Sequence, residues 1–456
     1  MNYQARFQFI RHALDESGGF DSTNKEGSYL IRYPRESEEK YLRRLEVAWY
    51  VNDLLPAASR FAGHLALNPP DRKFPTVAYE AMAKDVDGMG TPVDGFFHEF
   101  AKQAKAFGSM LLLVDGPAEA AANQGDQLQR RLFPRLRSIS PERVTEYVLG
   151  DDGKFDSVSF KGRCLHDGKT VDCVWTFTRT SWQAVGSDGG GALSSGTFSL
   201  GECPVLIFTE QGTFPCFGPF STIASLSKRL YNLHSELDEI LRGQTFSLLT
   251  YQVPPDQAHA FKESAGKIAE TIGTHNMLMH NGDTPAFIAP PDGPAKIYLE
   301  RIEKIEAKIA EISMAVEMPQ GQESGITMKY RYQALNAALS EFAGRMADLE
   351  ARAWDLTAKW FRQAAKPEAG YKGSYMLADV VEEMSILQQM QTGGMPRKAL
   401  AEQMKRIVSI QFSGLSQERL DEINAEIDEI EKEVEAADLE GQDGGDEKDF
   451  GGEADK

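Results

Sequence analysis

The sequence predicts an α+β fold in which strands and long helices occupy separate stretches of chain, and three observations carry this. Residues 133–210 alternate apolar and polar side chains, with Asp-Gly pairs between the runs, as β-hairpins do. Two amphipathic helical stretches of similar length, 221–243 and 295–316, flank an insert of about fifty residues with mixed strand and helix patterns. A third helical stretch, 327–366, keeps a seam from Tyr332 to Trp360 in steps of three and four throughout.

Along the chain, Glu38 to Leu67 has few breakers apart from Pro56 and Gly63. Tyr41, Leu45, Ala48, Trp49, Asn52 and Leu55 recur there at helical spacing, and Pro69-Pro70 stops the helix. Asp85-Val-Asp-Gly-Met-Gly-Thr-Pro92 is a turn feeding a helix from Val93 to Phe107. Gly108 caps that helix, and Ser109 to Asp115 follows as a buried strand. Lys154–Lys161 and Val171–Thr180 alternate as hairpin strands, turning at Asp152-Gly153 and Asp167-Gly168. Gly186 to Gly196 is a loop or hairpin tip, and Cys203 to Phe208 one more strand.

After Pro219, the positions Ile223, Leu226, Leu230, Leu233, Leu237 and Ile240 make one apolar stripe, with Ser221 and Gly243 placed to cap its ends. The insert then reads as a strand (Phe246–Val253), a helix (Pro255–Ile272), a strand (Asn276–His280), an Asn281-Gly282 turn and a closing strand (Ala286–Ala289). The second helix has its stripe at Tyr298, Ile302, Ile305, Ile309, Ile312 and Val316, and the segment Glu317–Gly325 breaks it. The seam of the third is Tyr332, Leu335, Leu339, Phe342, Met346, Leu349, Ala353, Leu356 and Trp360. Beyond Pro367 come short amphipathic helices: one ends at Thr392-Gly-Gly, one starts near Pro396, and one begins after Ser416. The Gly/Asp/Glu-rich end from Gly441 predicts disorder.

At 456 residues the chain exceeds one ordinary core, so several domains or one elongated subunit is expected. No run of eighteen apolar residues occurs, and the first residues lack an apolar signal core, which predicts a cytoplasmic protein without membrane spans. Cys164, Cys173, Cys203 and Cys216 form no CxxC pair and are expected as free thiols. Of the net charge of −19, −13 lies after Ser416, where seventeen acidic residues meet four basic ones, so the body carries only −6. A protein that grips nucleic acid by neutralising phosphates needs a large basic surface, and this composition excludes one.

Strings that resemble catalytic motifs fail on spacing. Gly162-Arg-Cys-Leu-His-Asp-Gly168-Lys-Thr170 has five residues between its glycines where a phosphate loop has four, and it joins two strands, so it is a hairpin. Asp85, Asp87 and Gly90 echo a calcium loop, but Met89 and Phe96 stand where ligands belong. Cys164, His166 and Cys173 are too irregularly spaced for a zinc site. No Gly-x-Ser-x-Gly elbow occurs. No catalytic residue, metal ligand or cofactor is therefore expected, and an enzyme acting through His166 or Asp167 is a remote alternative.

The two helices around the insert can pair antiparallel and carry it at their far end, which makes an elongated subunit whose second faces a ring of neighbours would cover. In this setting Phe217-Gly-Pro-Phe-Ser-Thr-Ile-Ala-Ser-Leu-Ser227 and Lys308-Ile-Ala-Glu-Ile-Ser-Met-Ala-Val-Glu-Met-Pro319 resemble the portal proteins of tailed bacteriophages. So do the insert Phe246–Pro291 and Glu323-Ser-Gly-Ile-Thr-Met-Lys-Tyr330. Tyr41–Asn52, the turn at Asp85 and Phe107-Gly-Ser-Met-Leu-Leu-Leu-Val-Asp-Gly-Pro117 also resemble a portal-like family, and the helices around Gln391-Thr-Gly-Gly-Met-Pro-Arg-Lys-Ala-Leu400 resemble a crown.

The resemblance implies a wing (1–216), a first stem helix (217–244), a clip (245–292), a second stem helix (293–316) and a tunnel loop (317–326). A long spine helix (327–366), a helical crown (367–438) and an acidic tail (439–456) complete it. It further implies a ring, usually a dodecamer, at one capsid vertex of the virion, assembled in the host cytoplasm. The partners would be the terminase large subunit, head-completion or adaptor proteins, a major capsid or scaffold protein, and double-stranded DNA in non-specific passage. The DNA-facing loop would be Glu317, Met318, Pro319, Gln320, Gly321, Gln322, Glu323, Ser324 and Gly325.

DNA that must slide cannot meet a continuous basic lining, so a neutral or acidic channel with sparse basic rings is expected. Arg301, Lys304 and Lys308, on one face of the second stem helix, are the candidates; the alternative is pairing with nearby glutamates such as Glu311. The competing reading is another virion structural protein, a scaffold or minor capsid protein using the Tyr332–Trp360 seam as a coiled coil.

Overall fold

The computed structural model describes residues 3–24, 27–117, 119, 121–187, 191–245, 248–252, 277–280, 286–288, 293–314, 325–373, 375, 380–412, 419–430 and 432. The fold is α+β, and the chain divides into two compact units, Met1–Tyr375 and Met376–Lys456.

In the first unit, helix α1 (Tyr3–Asp15) buries Phe7, Ile10, Ala13 and Leu14. Helix α2 (Glu38–Val47) starts where Ser37 accepts the Lys40 N–H. The single helix expected over 38–67 is in fact two, because the chain leaves the helix at Ala48, which is extended, and α3 (Leu54–Ala66) starts afresh after Asp53. The break is held by side chains turned inward. Tyr50 donates to the Ala13 carbonyl at 3.1 Å and Asn52 to that of Leu14 at 2.9 Å. Asn52 also accepts the Leu55 N–H at 2.9 Å, which opens α3. Val47, Trp49 and Val51 face outward in the same period-two alternation.

Strand β1 (Asp71–Lys73), helix α4 (Val77–Ala83) and helix α5 (Val93–Phe107) follow, the last with the expected bounds. Gly108 ends α5 in the left-handed conformation (φ +80°), as a C-terminal glycine can. Strand β2 (Ser109–Asp115) is the middle of an antiparallel sheet, with β3 (Arg135–Ile139) on one side and β9 (Val205–Thr209) on the other; helix α6 (Gln124–Arg130) precedes β3. Strands β4 (Val144–Leu149), β5 (Phe155–His166), β6 (Lys169–Thr178), β7 (Ser181–Gly186) and β8 (Ala192–Thr197) form an antiparallel meander in chain order. Of the glycine-rich stretch 186–196, expected as a loop or hairpin tip, residues 192–196 belong to β8, which pairs antiparallel with β7, and residues 188–190 lie outside the described residues.

β2 reads as an unbroken apolar run because both of its faces are covered. Met110, Leu112 and Val114 join the core shared with the helices, while Leu111 and Leu113 join a second core beneath the meander.

Helix α7 (Ser221–Thr245) begins with Ser221 inside its first turn and passes through Gly243, so neither residue caps it. The insert contributes β10 (Leu248–Gln252), β11 (Met277–His280) and β12 (Ala286–Ile288). β11 and β12 do not form a hairpin with each other. β10 lies between them, parallel to β11 and antiparallel to β12. A parallel neighbour requires a long crossover, and 253–276 supplies the length. The expected helix Pro255–Ile272 and turn Asn281-Gly282 lie outside the described residues.

Helix α8 (Gly293–Ile312) returns, and α9 (Gly325–Phe361) follows. α9 stops five residues before the expected end because Arg362 adopts φ +53° and the Gln363 N–H turns back to the Ala358 carbonyl. Its seam is buried as expected from Leu335 to Leu356, but the burial widens in the C-terminal half to include Glu350, Trp354, Thr357 and Ala358. The seam therefore packs into this chain's own core. Strand β13 (Glu368–Gly370) closes the unit by pairing with β1.

The second unit holds α10 (Val380–Thr392), α11 (Arg397–Gln411) and a helical stretch at 419–430, in the expected order. Glu383 on α10 receives Gln403 at 2.5 Å and Arg406 at 2.9 Å from α11, and Lys405 reaches Asp428 at 2.6 Å.

Candidate functional site

The site of interest is the α7–α8 pair and the structure that holds its base. α7 buries Ile223, Leu230, Leu233 and Leu237, and α8 buries Ala295, Ile302 and Ile309, so the two apolar stripes face a common core. Tyr298, near the start of α8, sits against Glu236, near the end of α7, as antiparallel neighbours do; burial first and the Glu236 carboxylate second raise its pKa.

α7 is braced along its flank by the N-terminal segment. Arg44, 2% exposed, grips Glu36 through Nε and Nη2 at 2.9 Å each and reaches Ser235 on α7 at 3.1 Å. Burial opposes the Arg44 charge, but the Glu36 hydrogen bonds together with the electrostatic pull of Tyr33, Glu36 and Glu236 outweigh it and raise its pKa. Asn232 accepts the Ile31 N–H at 2.8 Å and donates to the Tyr29 carbonyl at 3.1 Å. Ser227 lies 2.9 Å from the Asp53 carboxylate, whose pKa burial raises.

At the base, Lys105 on α5 is almost fully buried inside an aromatic cage. Its ammonium lies 4.1 Å from the Phe61 ring centroid and 4.8 Å from that of Phe220, and its partner is Glu210. Burial raises the Glu210 carboxyl, against the lowering effect of Lys105. Here the chain enters α7 through Phe217-Gly-Pro-Phe220, and Gly218 passes so close to Gly108 that a Cβ on Gly108 would stand 1.8 Å from the Gly218 nitrogen. The string read as a helix entry is thus also a backbone crossing that only glycine permits.

Arg301, Lys304 and Lys308 lie exposed on one side of α8, away from the buried stripe. Lys308 pairs with Glu311 at 2.7 Å, while Arg301 and Lys304 have no ion-pair partner among the described residues. Residues 317–324 of the expected tunnel loop lie outside the described residues, and Gly325 is the first residue of α9.

The string Gly162–Thr170 is a hairpin: His166 and Lys169 pair at its mouth, with Asp167 and Gly168 at φ +50° and +73°. The Asp85 turn spends its carboxylates on its own backbone, receiving the Gly90 N–H at Asp85 and the Met89 N–H at Asp87. Among the described residues no cluster of three metal-ligating side chains occurs, and no helix is long and apolar enough to cross a membrane.

Sequence reasoning missed the buried pairs Arg44–Glu36, Lys105–Glu210 and Arg72–Glu350, whose partners are distant or lie in unremarkable polar stretches. Only Lys105 carried a signal, being a charged residue within the apolar run of an amphipathic helix.

No family model and no curated protein matches this chain. Among solved structures it is similar to a chain of the virion of a native gene transfer agent particle, at 12% identity and a TM-score of 0.44, covering 86% of this chain and 98% of that one. It is similar to a chain of the neck of the native particle, computed with C12 symmetry, at 14% identity and a TM-score of 0.42, over 86% and 98%. An HK97-family phage portal protein from Corynebacterium diphtheriae is a further match, at 9% identity and a TM-score of 0.37, over 70% of this chain and 92% of that one.

Proposed function

We propose that this chain is a portal subunit, one copy of a ring at a capsid vertex through which double-stranded DNA enters and leaves. The observation that carries the reading is the α7–α8 pair with a three-stranded insert between its helices, its base clamped to the β-rich body by Lys105, Glu210 and the Gly108–Gly218 crossing. A helix pair of this kind leaves side faces open. Exposed Ile297 and Leu299 on α8, and the outward strip of Val47, Trp49 and Val51 beside α7, suit lateral contact with neighbouring copies.

In this reading the β-rich body is the wing, α7 and α8 the stem, the insert the clip, α9 the spine and the second unit the crown. Residues 317–325 stand nearest the DNA, and Arg301, Lys304 and Lys308 supply sparse basic rings. The clip docks the terminase large subunit and then head-completion proteins; the motor hydrolyses the nucleotide, and the ring has no catalytic role. The scaffold reading is disfavoured because the seam it needs is consumed in this chain's own core.

Negative-stain microscopy and native mass spectrometry of the purified full chain test the proposal. Rings of about twelve copies with a central hole are expected. A monodisperse monomer across salt and concentration would overturn it.

A further inference from the structure

Strand β3 lines three adjoining cavities. The first, of 540 Å³, lies between Arg135 and Arg137 on β3 and the indoles of Trp175, Trp182 and Trp360. The second, of 410 Å³, runs from the same two arginines past Ser138 to Phe96 and Phe100. The third, of 160 Å³, lies between Arg137, Ser138 and Phe160. Arg137 borders all three.

The indoles are held in place from beneath. A Cβ on Gly116 would stand 2.6 Å from the Trp360 ring, one on Gly162 2.8 Å from Trp175, and one on Gly196 2.7 Å from Trp182. Each tryptophan therefore lies against a glycine, and Trp175 and Trp182 face one another at 5.5 Å between centroids.

β3 is also an edge strand, and among the described residues no strand pairs with its outer side. Its Leu136 N–H points away from β2, donating to the Val86 carbonyl at 2.7 Å. The β2–β3 register is unbroken, so residues two apart point the same way, and the Ser138 N–H and C=O face outward too. Ser138 lines both the second and the third cavity.

The charges there are nearly balanced. Arg130 pairs with Glu119 and Asp126, Arg131 with Asp85, and Arg137 with Asp115. Arg135, exposed between the two larger cavities, makes no salt bridge within 4 Å among the described residues, although Asp115 opposite it on β2, already paired with Arg137, also feels its charge.

We propose that this cleft is a docking groove for an extended acidic segment of a partner protein. The segment adds to the β3 edge at Ser138, sets a carboxylate on Arg135 and shares Arg137. It rests an apolar or aromatic side chain on Trp175 and Trp182. The backbone donor and acceptor of Ser138, without a backbone partner among the described residues, select a peptide main chain. The balanced arginines are too few for a phosphate backbone, whose binding requires many uncompensated cations. The inference is independent of ring assembly.

The test is fluorescence anisotropy on the full chain, with a labelled peptide alternating Glu and Val and carrying one Phe, its backbone N-methylated counterpart, and a labelled oligothymidylate. Saturable binding of the first peptide is expected, weakened about tenfold by N-methylation and about tenfold by Arg135→Glu. Thermal melting verifies that the variant folds; if it does not, the N-methylated peptide on the unaltered chain decides. Absence of saturable binding, equal binding of the N-methylated peptide, or tighter binding of the oligothymidylate would each overturn the proposal.

Discussion

Arg72 and Glu350, 278 residues apart, meet as a bidentate ion pair, with Nε 2.6 Å from Oε1 and Nη2 3.0 Å from Oε2. Glu350 is fully buried in the middle of α9, and two further donors complete it: the Trp354 indole at 3.0 Å and the Tyr371 hydroxyl at 2.7 Å. Burial, then the Glu350 charge, holds the Tyr371 hydroxyl well above its ordinary pKa. Arg72 also contacts Asp94 on α5, so this pair ties the long helix to β1 and to the helix beside it.

Removing one partner leaves the other charge buried and uncompensated. Glu350→Gln is expected to destabilise the first unit by about 3–5 kcal/mol, read from urea denaturation. The double variant Arg72→Met, Glu350→Leu should recover only part of that loss, because the two apolar side chains need no partner but the Trp354 indole and the Tyr371 hydroxyl lose theirs.

The Arg44 hydrogen bonds hold the Glu36 carboxyl below its ordinary value near 4.5, against the opposing effect of burial. A carboxylate lowered on folding contributes stability that is complete above its unfolded pKa and lost as the pH falls through its folded one. Glu36→Gln should therefore cost about 1.5–3 kcal/mol at neutral pH. The gap between variant and unaltered chain should close on acidification below the usual glutamate range, as denaturation midpoints at stepped pH will show.

Gly108→Ala should be among the most damaging single-methyl changes in the chain. It places a side chain at φ +80° and drives its Cβ into the Gly218 backbone. A loss of about 3 kcal/mol or more is expected, seen as a lowered melting temperature or failure to fold.

Arg301→Glu, Lys304→Glu and Lys308→Glu together change exposed positions, so folding stability should stay within about 0.5 kcal/mol per site. If these residues ring the channel, the triple variant should assemble normally yet yield fewer DNA-filled heads in a complementation assay. Unchanged filling would remove them from the DNA path.

Burial pushes the Cys203 thiol up to about 11 and, with a hydrogen bond donated to Cys164, the Cys173 thiol up to about 12. Native-state alkylation at about pH 8 should therefore spare both, since the thiolate is the nucleophile. Peptide mass spectrometry after a timed iodoacetamide pulse reads this directly.

Much of the helix and strand plan was legible because it rests on local periodicity and on punctuation by glycine and proline. Val93–Phe107, Gly108 and Ser109–Asp115 sit where the pattern put them. The stripe of α7 and the seam of α9 are buried as spaced, except that Leu226, Ile240, Tyr332 and Trp360 are only partly covered. The misreadings share one cause. Residues 48–53 have helical spacing, yet the carbonyls of Ala13 and Leu14 draw Tyr50 and Asn52 out of the helix. Asn281-Gly282 looks like a hairpin turn, yet β10 takes the place between the two strands it would join.

By itself, then, the sequence determined most of which segments are helix and which are strand, the helix–insert–helix order and the weak charge of the body. Those properties follow from side-chain periodicity and composition, which act over a few residues. The tertiary structure decided which charges are buried, where the stem is clamped, and that β3 keeps an open edge beside Arg135 and the tryptophans. These depend on residues far apart in the chain meeting where water is excluded, and no local pattern encodes such a meeting.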